Sequence, residues 1–379
     1  MKRRAKVLVV GMLDSIHLVR WLEIFRDEPI DFFLVPSSPH RAIHRGLETL
    51  LHGDGSANFR LSRFAANLGV IIWAFDRLFK NRIKLTLINN IMRRQNIDIA
   101  HALELQNAGY AMSDWIGRFG QKYPELKFII TNYGSDLYHF RRFPRHAQRI
   151  ERLLKQAGYY AAECQRDVEL ALAMGFEGQV LPVIPNSGGF DQKLLSRELS
   201  PPGARSVIAV KGYQGWAGRA HLALRALRLI DQRLAHLQVR IYSANVSTML
   251  LAWHLGRTSS IDVRSTLKGR LSHPEVLDMF GESLVYVGIS RTDGISTSML
   301  EAMAMGAIPV QTSSACCDEW FRNTGIAIKN LKVEEIAQGI LRALDMATSA
   351  EAAKENKRTI LIRASRDEIA KSALEFYRI

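Results

Sequence analysis

Cysteine is scarce in this 379-residue chain: Cys164 and the adjacent Cys316 and Cys317 are the only three. Thiols at that spacing form neither a disulfide framework nor a metal-ligand set, so a reducing compartment is the simplest expectation. Long apolar runs are also lacking. The longest, LGVIIWAF at residues 68–75, stops at Asp76 and falls far short of a bilayer span. The opening MKRRAKVLVVG begins with basic residues, but its apolar run is too short for a signal peptide and reads as a first strand. There is no fixed-period repeat and no low-complexity tract, which argues against solenoids and propellers. Asp-X-Asp, a common metal-chelating pair of acids, occurs nowhere.

Acidic residues are in deficit, 37 against 51 Lys and Arg, for a net charge of +14. The excess is spread evenly: 26 cations face 18 acids up to residue 190, and 25 face 19 beyond it. Such a surface attracts polyanions, among them nucleic acid, anionic lipid and phosphorylated substrates. No zinc spacing or RNP-like aromatic pattern favours nucleic acid, so a basic nucleic-acid-binding protein is the remote alternative.

What is present is an alternation. Strands are expected over 6–10, 31–35, 97–101, 127–131 and 158–162, with helices between them, including 59–80, 83–95, 107–121 and 144–157. After a Pro/Gly/Ser-rich interruption at 186–203 a second series begins. It has strands over 206–210, 238–243, 284–287 and 308–311 and a helix over 218–234. Short connections between alternating strands and helices predict α/β domains built on parallel sheets. Ligands in such sheets gather at the carboxyl ends of the strands.

One stretch, RTDGISTSMLEAMAMGAIPV, sets Asp293 and Glu301 eight positions apart. On one helix they would lie roughly 12 Å apart and could not act as a pair. The spacing instead predicts a strand, a loop bearing Asp293, a helix starting near 296–298, and Gly306 as its C-terminal stop. Gly294 permits close approach of a ligand, and the amides of Ile295 and Ser296 open onto a helix start suited to phosphate. Glu301, one turn in, can accept two hydrogen bonds from a vicinal diol. Two plainer readings compete: a capping box from Ser298 to Glu301, and an ordinary Asp293-Gly294 turn.

DGISTSMLEAMAMGAIPVQT resembles the acid-x7-acid signature of retaining glycosyltransferases of the GT-B fold, especially glycosyltransferase family 4. VLPVIPNSGGFD, LSHPEVLDMFGESLVYVGIS, TNYGSDLY and VVGMLDSIHLVRWL resemble further segments of that family, most specifically over 270–330. The resemblance implies two Rossmann-like domains with a deep interdomain cleft. An acceptor-side domain would span 1–188 and a nucleotide-sugar-binding domain 204–360, with 361–379 a C-terminal helix packing back toward the first.

By the same resemblance Asp293 contacts the donor sugar, Glu301 the ribose, and Gly294, Ile295 and Ser296 the phosphates. Lys211 and Arg219 would stabilise the departing diphosphate. Gly11 and Tyr133 would lie on the donor side of the first domain. Tyr133 stands where the family usually has a histidine, and Asp136 and His17 are the expected substitutes for that catalytic group. His101, at a strand end, reads as an ordinary histidine.

The implied activity is metal-independent, cofactor-free, retaining transfer of a hexose from a nucleotide-diphosphate sugar. The implied acceptor is a saccharide or lipid-linked saccharide, in cell-surface polysaccharide or glycoconjugate assembly. A sugar-nucleotide 2-epimerase of the same fold is the alternative. The location expected is cytoplasmic. The RRFPRHAQRIERLLK segment at 141–155 carries six cations and one acid. It reads first as a solvated face; the sharper alternative is that, with 59–80, it contacts the inner face of the membrane.

Overall fold

In β1 (Ala5–Gly11) and β2 (Ile30–Pro36), successive side chains feed two different cores. Val7, Val9, Phe32 and Leu34 point to one side, and Leu8, Val10, Phe33 and Val35 to the other. Strands buried on both faces read as unbroken apolar runs, which explains why the first strand has no polar alternation. The structure is a computed structural model and describes residues 3–38, 42–61, 76, 78 and 82–379. It divides into two units, Met1–Gly189 with Asp367–Ile379, and Phe190–Arg366.

The first unit adds β3 (Asn58–Leu61), β4 (Ile99–Leu103), β5 (Lys127–Thr131), β6 (Tyr159–Ala161) and β7 (Gln179–Val180). Its sheet runs in the order β3-β2-β1-β4-β5-β6-β7, and every pairing is parallel. The second unit holds β8 (Val207–Lys211), β9 (Gln238–Ala244), β10 (Asp262–Leu267), β11 (Ser283–Gly288), β12 (Ile308–Thr312) and β13 (Ile326–Ile328). Their order is β10-β9-β8-β11-β12-β13, again all parallel. Each sheet therefore reverses its strand order beside its first strand, the place where doubly wound sheets bind ligands.

The helix expected over 59–80 begins instead as β3. Phe59 pairs with Phe32 across the sheet, with rings stacked at 5.2 Å, so cross-strand packing overrides the helical spacing there. Arg63, Arg77 and Lys80 lie outside the described residues. Residues 190–203, read as a linker, are part of the second unit, which ends at Arg366. Phe190 ties this segment down, donating to Ala364 O and accepting from Arg366 N, each at 2.8 Å. Asp191 caps the turn Gln192–Leu195 by accepting from Leu194 N at 2.8 Å.

The chain ends inside the first unit's core, where Phe376 and Tyr377 are buried. Tyr377 Oη lies 2.8 Å from His101 Nδ1 and accepts from Trp21 Nε1 at 3.0 Å, while His101 Nε2 meets Thr131 Oγ1 at 2.7 Å. Burial pushes the His101 pKa down to about 3, so the imidazole is neutral at physiological pH and structural.

Candidate functional site

In the second unit the site grows from the carboxyl ends of β8, β11 and β12. Leaving β11, the chain forms a polar loop held by its own groups. Ser290 N donates to Thr312 Oγ1 at 3.1 Å, Ser314 Oγ donates to Ser290 O at 2.9 Å, and Asp293 N donates to Ser314 O at 3.2 Å. Asp293 accepts from Gly294 N at 3.0 Å. The helix Thr297–Ala304 follows with Ser296 at its N-cap position. Gly306 adopts φ of +84° and ends it, a conformation L side chains rarely take.

Ser296 does not cap the helix it precedes. Its Oγ accepts from Lys211 Nζ at 3.3 Å and lies 3.4 Å from Tyr286 Oη. The first-turn amides are thus left without a side-chain acceptor, at the positive end of the helix dipole. Burial works against the Lys211 charge, yet the neighbouring Tyr286, Asp293, Glu301 and Tyr213 raise its pKa above the ordinary lysine value. The ammonium is therefore a fixed charge beside an anion-receptive helix start.

Glu301 is buried, and its Oε1 lies 2.8 Å from Nε2 of the half-exposed His273, which donates to it. The Ser298–Glu301 capping box is not formed, because Ser296 and not Ser298 is the cap position. A capping box exists elsewhere, between Ser272 and Glu275, and it starts the helix His273–Gly281 that presents His273.

Arg219 lies on the adjacent loop. Its main chain donates to Ile289 O at 2.9 Å, which lines the loop up beside the segment leading to Asp293. The guanidinium turns back onto its own loop, donating through Nη1 to the carbonyls of Gly215 (2.7 Å), Gly218 (2.8 Å) and Trp216 (3.4 Å). Gly218 makes that loop possible, since a Cβ there would collide with Tyr213 O.

The first unit gathers another group at the ends of β1, β4 and β5. His17, on the helix Ile16–Glu23 capped by Ser15, has its ring 6.1 Å from that of Tyr133. Gly11 ends β1 and accepts from Ser37 N at 2.8 Å. Asp136 is buried with both carboxyl oxygens committed to main chain, Oδ2 to Leu105 N at 3.0 Å and Oδ1 to Tyr133 N at 2.9 Å. Burial, assisted by the nearby Glu104, raises its pKa to about 8. Asp136, expected as a substitute for the usual catalytic histidine, thus ties the turns after β4 and β5 together through both its oxygens. Burial raises the Tyr133 phenol well above its ordinary pKa, so it stays a neutral donor.

Four residues were not singled out from the sequence. Tyr286 and Tyr242 lie on the face of the sheet opposite the apolar core of the second unit, both edge-on to Phe280. His273 sits in the LSHPEVL segment, where the Ser-His-Pro-Glu helix start was the available signal. Glu104, at the end of β4, is buried at φ +92° and accepts from Asn107 N and Ala108 N at 2.9 and 2.6 Å. A positive φ for a glutamate leaves no mark in the sequence.

Residues 205–346, all within the second unit, match the family described as Glycosyl transferases group 1. Among curated proteins no sequence matches the chain. Several solved structures share the architecture over nearly the whole chain. Sucrose-phosphate synthase from Thermosynechococcus elongatus aligns with a TM-score of 0.72 at 13% identity, covering 99% of this chain and 98% of that one. Anabaena HepE in complex with UDP-glucose aligns at 0.67 and 12%, covering 98% of each chain. A glycosyltransferase from Rickettsia africae aligns at 0.66 and 15%, covering 99% and 98%. At these identities the likeness defines the fold: the chain is a GT-B protein of two Rossmann-like units.

Proposed function

We propose that the protein is a retaining glycosyltransferase that takes a hexose from a nucleotide-diphosphate sugar. The observation that carries this reading is the N-cap serine that does not cap: Ser296 is turned to Lys211, which leaves the helix start and a fixed ammonium to face an anion together. A diphosphate is the natural occupant. The HepE structure with UDP-glucose, built on the same fold, gives the donor class further support.

The chemistry follows from the charges. As the sugar–phosphate bond breaks, negative charge grows on the departing oxygen, and Lys211 with the Thr297 and Ser298 amides stabilises it. Asp293 accepts from hydroxyls of the donor sugar, and Glu301, oriented by His273, accepts from the ribose. Gly294 and Ile295 line the phosphates. Arg219 shapes the loop beside them and swings to the diphosphate only if it gives up its own carbonyls. The departing phosphate takes the acceptor's proton on the same face, so no histidine base is required and the anomeric configuration is retained. Fixed cationic groups supply the electrostatics without a metal, and the reaction should proceed in excess EDTA.

The acceptor we infer is a saccharide or lipid-linked saccharide met at the cytoplasmic face of a membrane, in cell-surface polysaccharide assembly. The net charge of +14 supports an anionic environment. Among the described residues no helix is long and apolar enough to cross a membrane. The cations of the helix Pro144–Gln156 are partly spoken for: Arg149 and Arg152 both pair with Asp114.

The test is incubation with UDP-, GDP-, ADP- and dTDP-sugars, with and without saccharide acceptors, read by NMR of the products. An α-linked product from an α-linked donor is expected. An inverted product would remove the retaining mechanism, and conversion of one nucleotide sugar without acceptor would make the protein an epimerase.

A further inference from the structure

We propose that the helix Val246–Thr258 of the second unit is a docking face for an anionic lipid bilayer. This helix joins β9 to β10, the edge strand of its sheet. Thr248, Ala252 and Leu255 face inward and are buried. The outward face would ordinarily be polar. Here it carries Val246, Leu250 and Trp253, 68%, 64% and 63% exposed, with Leu251 beside them at 43%. Positions 246, 250 and 253 fall on one stripe of a helix about 20 Å long. Scattered exposed apolar residues need no explanation, but a contiguous stripe of large ones ending in a tryptophan marks an interaction surface.

Charge decides the occupant. Between residues 246 and 270 stand Arg257, Arg264, Lys268 and Arg270, against Asp262 alone. Asp262 is already engaged, with Gln238 and with Arg264 at 3.5 Å. The cations frame the stripe at both ends. Arg257 continues it one turn beyond Trp253, its guanidinium 5.3 Å from the indole ring. Lys268 donates its main-chain N–H to Ala244 O at 2.9 Å, which sets the Lys268–Arg270 turn beside the start of the helix. Apolar side chains and a tryptophan flanked by exposed cations match the layering of a bilayer surface, with acyl boundary inside and lipid phosphate around it. A second copy of the chain fits less well, because an isologous contact would gather Arg257, Lys268 and Arg270 of both copies around one patch, while Asp262, the one acid of this segment, is already paired.

None of these residues is assigned a role in the proposed chemistry, so vesicle binding and donor turnover can fail separately. The experiment is co-sedimentation of the full-length protein with phosphatidylcholine vesicles, with and without phosphatidylglycerol, together with quenching of tryptophan by bromine-labelled lipid. The wild type should sediment with phosphatidylglycerol vesicles and show quenching. Leu250→Gln with Trp253→Gln should lower partitioning about tenfold or more. Arg257→Gln with Lys268→Gln and Arg270→Gln should abolish the preference for the anionic lipid. Melting by circular dichroism checks each variant's fold, and Val246→Gln, at the start of the stripe, repeats the test should the double variant melt early. Wild type that stays in the supernatant, or stripe variants that sediment as wild type does, would overturn the proposal. So would light scattering that shows a Trp253-dependent dimer without vesicle binding.

Discussion

Lys211 and Glu301 answer to different experiments although they lie in one site. In the proposed mechanism Lys211 acts on the departing diphosphate, so Lys211→Ala should lower turnover, with a loss on the order of 3 kcal/mol in the barrier. Its kcat, compared with wild type at saturating donor, is the readout; unchanged turnover would remove Lys211 from the reaction. The proposal gives Glu301 a part in binding instead. Glu301→Ala should weaken the nucleotide by about 1.5–3 kcal/mol, the worth of hydrogen bonds to a charged group. Titration calorimetry with the nucleotide alone measures it, and a lowered melting temperature with intact affinity would return Glu301 to a purely structural partnership with His273. The two acids were legible in the sequence because their environment is local: a loop glycine, small polar residues, an apolar turn and Gly306 specify the helix between them. Where a side chain aims was less legible. Arg219 bends back onto three carbonyls of its own loop, and that depends on the path of residues 215–218 rather than on spacing. Asp136 and Glu104 come together only because β4 and β5 are neighbours in the sheet.

Among the elements, strands showed through the sequence best, since burial on both faces writes continuous apolar runs at 7–10 and 32–35. The helix Val246–Thr258 went unread for the opposite reason. Its apolar residues occupy both its faces, so no amphipathic period marks it, and the outward half has no packing role in its unit. The C-terminal segment is fixed by a contact invisible to local pattern, Tyr377 with His101 and Trp21. Tyr377→Phe should leave two buried groups without a partner and cost about 1–3 kcal/mol, read by urea unfolding. The same cluster carries a pH dependence. His101 titrates near 6.5 when unfolded but near 3 when folded, so the unfolded chain binds the proton first as pH drops. Its contribution to stability is intact above about pH 6.5 and is lost progressively as pH falls toward 3. His101→Asn should flatten that part of the stability profile, and a profile unchanged by the substitution would contradict a neutral buried imidazole. Gly306→Ala, which forces a Cβ into the +84° position against Arg205, should destabilise the second unit by at least about 1–2 kcal/mol, measured by thermal melting.

For the molecule as a whole, the proposed nucleotide recognition in the second unit rests on its doubly wound sheet and on the family match over residues 205–346. The broad positive charge raises the encounter rate with any anionic donor and makes it depend on ionic strength. In the proposed site, specific recognition rests on far fewer atoms: one ammonium, one helix start and two carboxylates. A nucleotide sugar that binds the folded protein alone must raise its melting temperature by mass action. The most direct measurement is therefore a thermal-shift screen of wild type and Lys211→Ala against UDP-, GDP-, ADP- and dTDP-sugars at millimolar concentration. The account predicts that at least one nucleotide sugar stabilises the wild type, that free sugar does not, and that the shift shrinks in Lys211→Ala. No shift with any of the four, or an equal shift in the variant, would contradict it.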